Sequence, residues 1–117
     1  MIRFRHIAFI TFALPTLALA QTGTPSVDQR QINQEHRIDQ GVASGSLTQR
    51  EAMRLERGQQ RVENMEARAK SDGVVTRQER GRLQYAENVQ SRHISREKHD
   101  RQHDYNHNGR TDHSRWR

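Results

Sequence analysis

The sequence predicts an all-α protein: a small antiparallel three-helix bundle, or a helical hairpin with a loosely docked first helix, followed by a polar C-terminal tail. Three observations lead there. Helix-start chemistry recurs three times, at Ser26-Val27-Asp28-Gln29, Thr48-Gln49-Arg50-Glu51 and Thr76-Arg77-Gln78-Glu79. A Ser or Thr hydroxyl accepts from a free N–H of the first turn, and a Glu or Gln three residues on reaches back to the cap's own N–H. Two of these starts also repeat as units. Gly45-Ser46-Leu47-Thr48-Gln49-Arg50-Glu51 and Gly73-Val74-Val75-Thr76-Arg77-Gln78-Glu79 share Gly-x-(Leu/Val)-Thr-x-x-Glu at an offset of 28 residues. Finally, apolar residues recur at helical spacing between these points.

The first helix is expected over 26–43, with Val27, Ile38 and Val42 as a sparse stripe and Ile32 off its line. The second, 48–71, carries Leu55, Val62, Met65 and Ala69, with Gly58 in the stripe as a point of close helix approach. The third, 76–100, carries Leu83, Ala86, Val89 and Ile94, with Tyr85 beside them. Gly45 and Gly73 suit the left-handed residue that ends a helix, and the short turns make consecutive helices antiparallel.

The chain opens with an export signal. Arg3, Arg5 and His6 form a positive start, Ile7 to Leu14 an apolar run, and Ala18-Leu19-Ala20 a small-residue cleavage site. The run is too short for a membrane span, which takes about 20 residues. Residues 1–20 are therefore read as a signal peptide cut after Ala20, 21–100 as the helical domain, and 101–117 as a His/Asn-rich basic tail. The expected location is the periplasm. The expectation is also that the chain is not an integral membrane protein.

Composition limits what such a domain can do. Of 117 residues, 31% are hydrophobic, 29% charged and none is cysteine. After residue 20 only 17 large apolar or aromatic side chains remain, so there is no room for a deep catalytic pocket. Disulfides and cysteine metal sites are excluded, and stability must come from helix packing. So thin a core favours self-association or docking on a partner. No nucleophile elbow or phosphate-binding glycine loop occurs, and no enzyme is expected. The excess of basic residues suits anionic envelope components. Nucleic acid is not expected, because the aromatics Tyr85, Tyr105 and Trp116 are far apart.

Metal chemistry is the sharper candidate. His99, His103 and His107 are four residues apart, and Asp100 and Asp104 run alongside at the same interval. On a helix continuing past residue 100 these would share faces and chelate Zn, Ni or Cu(II). The same tail holds Asp104-Tyr105-Asn106-His107-Asn108-Gly109, the opening Asp-x-Asn-x-Asn-Gly of a calcium loop. Its closing half departs: Thr111 replaces an apolar residue and Arg115 stands where Glu is needed, although Asp112 adds an oxygen. A plain Asn/Gly turn competes with a weak Ca site here.

The Gly73 turn resembles the second half of an EF-hand loop, with Asp72, Gly73, Val75 and Glu79 in place. Arg68 and Lys70 occupy earlier ligand positions, so this corner and its Gly45 twin are read as turns without an ion. The wider pattern is carried by Arg30, Gln31, Gln34, Arg37, Ile38, Gly45, Leu47, Thr48, Glu51, Asp72, Gly73, Val75, Thr76, Glu79 and Arg80. It resembles a group of small exported proteobacterial helical proteins with repeated turns of this kind. That resemblance implies a helical periplasmic protein and supplies no catalytic residues. The resulting expectation is a non-enzymatic binding protein with a divalent-metal contact in its tail. The alternative is an interaction module without a metal.

Overall fold

The computed structural model describes residues 23–112. The signal peptide expected at 1–20 and the chain end from His113 onward lie outside the described residues. Three helices run in order: α1 (Pro25–Ala43), α2 (Gln49–Lys70) and α3 (Arg77–Lys98). The described residues contain no strand. Each helix packs on both others, which makes the molecule a three-helix bundle. Asp28 of α1 reaches Lys70 at the end of α2, and Arg54 near the start of α2 reaches Glu97 near the end of α3. Consecutive helices are therefore antiparallel.

Both repeated turns form the full capping box. Thr48 N–H donates to Glu51 Oε2 at 2.8 Å, and Glu51 N–H donates to Thr48 Oγ1 at 3.3 Å. The Thr76–Glu79 pair repeats this at 2.8 and 3.2 Å. Before each box stands a glycine with positive φ, Gly45 at 73° and Gly73 at 83°, followed two residues later by a buried anchor, Leu47 or Val75. Lys70, at an oxygen position of the EF-hand comparison, pairs with Glu66 at 2.7 Å.

The first helix starts differently from the expectation of a Ser26–Gln29 box. Ser26 and Gln29 form no capping box. Helix α1 begins one residue earlier, with Thr24 as N-cap and Pro25 at the first helical position, and Thr24 makes no side-chain cap bond. Proline suits that position because its φ is already helical and its missing N–H would have had no partner. Gln29 instead donates to Asn33 one turn on, at 3.2 Å. The Thr24 hydroxyl donates to Glu66 of α2, which also accepts from Gln31 of α1 at 2.8 Å.

The core is two small apolar clusters at opposite ends of the bundle. Ile38, Leu47, Ala52, Leu55 and Ile94 form one, beside the α1–α2 turn. Val27, Ala69, Val75 and Leu83 form the other, beside the α2–α3 turn. Between them lies a belt of buried polar side chains: Gln34, Gln59, Glu87 and Gln90. On α3 the buried positions are Leu83, Glu87, Gln90 and Ile94, a heptad seam. The apolar pattern of α3 predicts Ala86 and Val89 inside instead. Ala86 and Val89 are only half-buried, Tyr85 is exposed, and Val42 and Met65 are exposed.

Gly58 explains how the polar belt closes. A Cβ there would stand 2.2 Å from Gln90 Oε1. The Gln90 amide fills the notch and donates to the Leu55 carbonyl of α2 at 2.8 Å. Gly81 faces open space, with nothing within 4 Å of an added Cβ. We predict opposite outcomes for the same substitution, read by chemical denaturation. Gly81→Ala raises stability by about 1 kcal/mol through helix propensity. Gly58→Ala lowers it by about 1–2 kcal/mol, because displacing Gln90 breaks a buried hydrogen bond.

Candidate metal-binding segment

Helix α3 ends at Lys98, with His99 as its C-cap. Residues 99–112 are irregular, so the helix on which the histidines were to share a face does not extend past His99. His99 Nδ1 lies 2.6 Å from the Ser95 carbonyl, back along α3. His103 is half-buried and stacks on Tyr105 with ring centroids 4.9 Å apart. His107 is exposed, with φ of 54°. Asp100 accepts from the Gln102 N–H at 2.7 Å. Among the described residues, His99, His103, His107, Asp100 and Asp104 form no cluster of three ligand atoms.

What the segment does form is a closed loop of oxygens. Asp104 is buried at 5% exposure. Its Oδ1 accepts from Asn108 N–H at 3.0 Å and its Oδ2 from Gly109 N–H at 2.9 Å. Asn106 Oδ1 accepts from the same Asn108 N–H, and Asn108 Oδ1 accepts from Arg110 N–H. Asp112 returns across the loop. Its carboxylate accepts from Tyr105 N–H at 2.7 Å and from the Asn106 side-chain amide at 2.8 Å. Its own N–H donates to the His103 carbonyl at 2.6 Å.

Positive φ at His107 and Gly109 lets the chain wrap within nine residues. Four side chains, Asp104, Asn106, Asn108 and Asp112, thus bring oxygen donors into one loop. Oxygen-only donor sets suit hard cations such as Ca²⁺ and Mn²⁺ rather than Zn²⁺ or Cu²⁺.

The loop is seated on the bundle through one glycine. Asp104 N–H donates to the Gly45 carbonyl at 2.8 Å. A Cβ on Gly45 would stand 2.6 Å from Asp104 O and 2.7 Å from Tyr105 Cα. Gly45 therefore serves twice, as the left-handed end of α1 and as the floor for the loop. Gly73, its twin, has nothing above it. The sequence signalled the Gly45 turn and the Asp-x-Asn-x-Asn-Gly run separately, and only the fold joins them.

The chain matches no known protein family, no curated protein and no solved structure.

A second feature is a groove of about 690 Å³ between α2 and α3. Its lining includes the apolar Val62, Met65, Tyr85, Ala86 and Val89 together with Arg61, Arg82 and His93. Ala86 and Val89 are the apolar residues of α3 that Glu87 and Gln90 displace from the seam. No helix among the described residues is long and apolar enough to cross a membrane.

The polar belt has its own electrostatics. Burial pushes the Glu87 carboxyl above its ordinary range, against the opposing effects of Gln31, Gln34 and Arg30. Gln34 Nε2 donates to Glu87 Oε2 at 2.6 Å, while Glu87 Oε1 and Gln34 Oε1 are buried without partners. Burial also pushes Glu66 upward, but Lys70, Thr24 and Gln31 outweigh it and hold Glu66 low.

A raised carboxyl binds its proton more tightly in the folded state. Its stabilising contribution is present below its unfolded value and is lost as pH rises through the folded one. Glu66 acts in the opposite sense and loses its contribution as pH falls. Glu87→Gln removes the buried charge while keeping an acceptor for Gln34. We predict that it raises the melting temperature at pH 7 by several degrees, equivalent to about 1 kcal/mol. Thermal melts followed by circular dichroism should show the gain shrinking toward pH 4, where wild-type Glu87 is already protonated.

Proposed function

We propose that this chain is a non-enzymatic helical binding protein of the periplasm, and that its C-terminal segment holds a divalent cation in the loop from Asp104 to Asp112. The export signal read from the first twenty residues supports the location. The convergence of Asp104, Asn106, Asn108 and Asp112 in a loop seated on Gly45 supports the binding role. Oxygen donors favour Ca²⁺ over the Zn, Ni or Cu(II) expected for the histidines. Binding would tie the tail to the α1–α2 turn, because the loop that takes the ion is the one hydrogen-bonded to Gly45.

Calorimetry on protein beginning at Gln21 tests this. Ca²⁺ binding should weaken tenfold or more in Asp104→Asn/Asp112→Asn and persist in His99→Ala/His103→Ala/His107→Ala. Zn²⁺ binding lost only in the histidine variant, with no Ca²⁺ binding to the wild type, would return the site to the imidazoles.

A second reading rests on the groove between α2 and α3. An apolar floor bordered by Arg61, Arg82 and His93 suits an amphipathic anionic surface, such as an envelope lipid. Co-sedimentation with anionic vesicles should fall several-fold in Arg61→Ala/Arg82→Ala and in added salt. Retention by neutral vesicles at the same level would remove the charge argument.

A further inference from the structure

The two helix-turn corners use the same capping chemistry, yet their glutamates stand in different surroundings. Glu79 is half-buried and belongs to no group of three converging carboxylates or imidazoles among the described residues. Glu51 is 1% exposed, and one carboxylate oxygen each from Glu51, Glu97 and Asp100 lies within 4.8 Å of the others. The capping box does not need these companions, because Thr76 and Glu79 make the same bonds without them.

The three residues come from separate places: the first turn of α2, the last turn of α3, and the chain just beyond it. Their bonding is incomplete. Glu51 Oε2 accepts from both the N–H and the hydroxyl of Thr48, each at 2.8 Å, while Glu51 Oε1 is buried with no partner. Arg54 is the one cation paired with the group among the described residues, 3.5 Å from Glu97. Glu97 and Asp100 also lie at the C-terminal end of α3, where the helix dipole opposes negative charge.

We propose that Glu51, Glu97 and Asp100 form a second cation site, distinct from the tail loop, that takes a hard divalent ion of the Ca²⁺ or Mn²⁺ class. All three donors are carboxylates, the ligand type such ions prefer, and water can fill the remaining positions. Glu51 supplies the buried oxygen, held in orientation by Thr48. Glu97 and Asp100 close over it from α3. Burial, with the charges of Asp100 and Glu97, pushes the Glu51 carboxyl upward despite its bonds to Thr48, and a bound cation relieves that repulsion. The ion would bridge the start of α2 to the end of α3, four residues before the chain reaches Asp104.

Mn²⁺ titration followed by the electron paramagnetic resonance of the free ion tests the site. Wild type should bind two ions per chain. Glu97→Gln and Asp100→Asn, both at partly exposed positions, should each weaken one of them tenfold or more, with helicity unchanged. Glu79→Gln, in the twin corner, should bind as wild type does. If Glu97→Gln and Asp100→Asn both titrate as wild type, the triad is not a site. Run beside them, Asp104→Asn/Asp112→Asn separates the two ideas. Loss only in that variant overturns the triad and leaves the loop, whereas loss only in the Glu97 and Asp100 variants supports the triad and removes the loop.

Discussion

The bundle depends on one lock at its middle, the Gln90 amide seated in the notch of Gly58 and bonded to the Leu55 carbonyl. Neither apolar cluster is large enough to define how three helices align. Four or five side chains at each end provide burial, at about 1.5–3 kcal/mol for each large one. They do not fix the register between them. Polar side chains do, because a buried amide or carboxylate without its partner is costly. Gln34 to Glu87, Gln90 to Leu55, and Thr24 and Gln31 to Glu66 each work in only one alignment.

That arrangement has consequences at the surface. With Glu87 and Gln90 turned inward, Ala86, Val89 and Tyr85 are left on the flank of α3, where with Met65 they line the groove. The same alignment brings the start of α2 beside the end of α3, so that Glu51 meets Glu97 and Asp100. The C-terminal segment then turns back across the α1–α2 corner and rests on Gly45. Both proposed cation sites thus lie at one end of the molecule. There, a cation held at either proposed site would act within a few residues of the contact that docks the tail.

Much of the architecture is local and therefore legible. Thr48 with Glu51, and Thr76 with Glu79, announce helix starts because a capping box is made within four residues. Gly45 and Gly73 announce the preceding ends because the left-handed conformation is a property of one residue. The Asp-x-Asn-x-Asn-Gly run could be seen for the same reason, since its bonds reach only a few positions. The spacing of the histidines places them on one face only on a helix, and α3 stops at Lys98. Ser26 misled because Pro25 suited the first helical position better.

Near-neighbour chemistry alone set the three helical segments and the positions of their corners, because a capping box and a left-handed glycine are made within a few residues. The tertiary structure alone decided which face of α3 is buried, because Glu87 and Gln90 look like surface residues until Gln34 and the Leu55 carbonyl stand opposite them. It alone decided that Glu51, Glu97 and Asp100 converge, since residues nearly fifty apart meet only when three helices have found a common register.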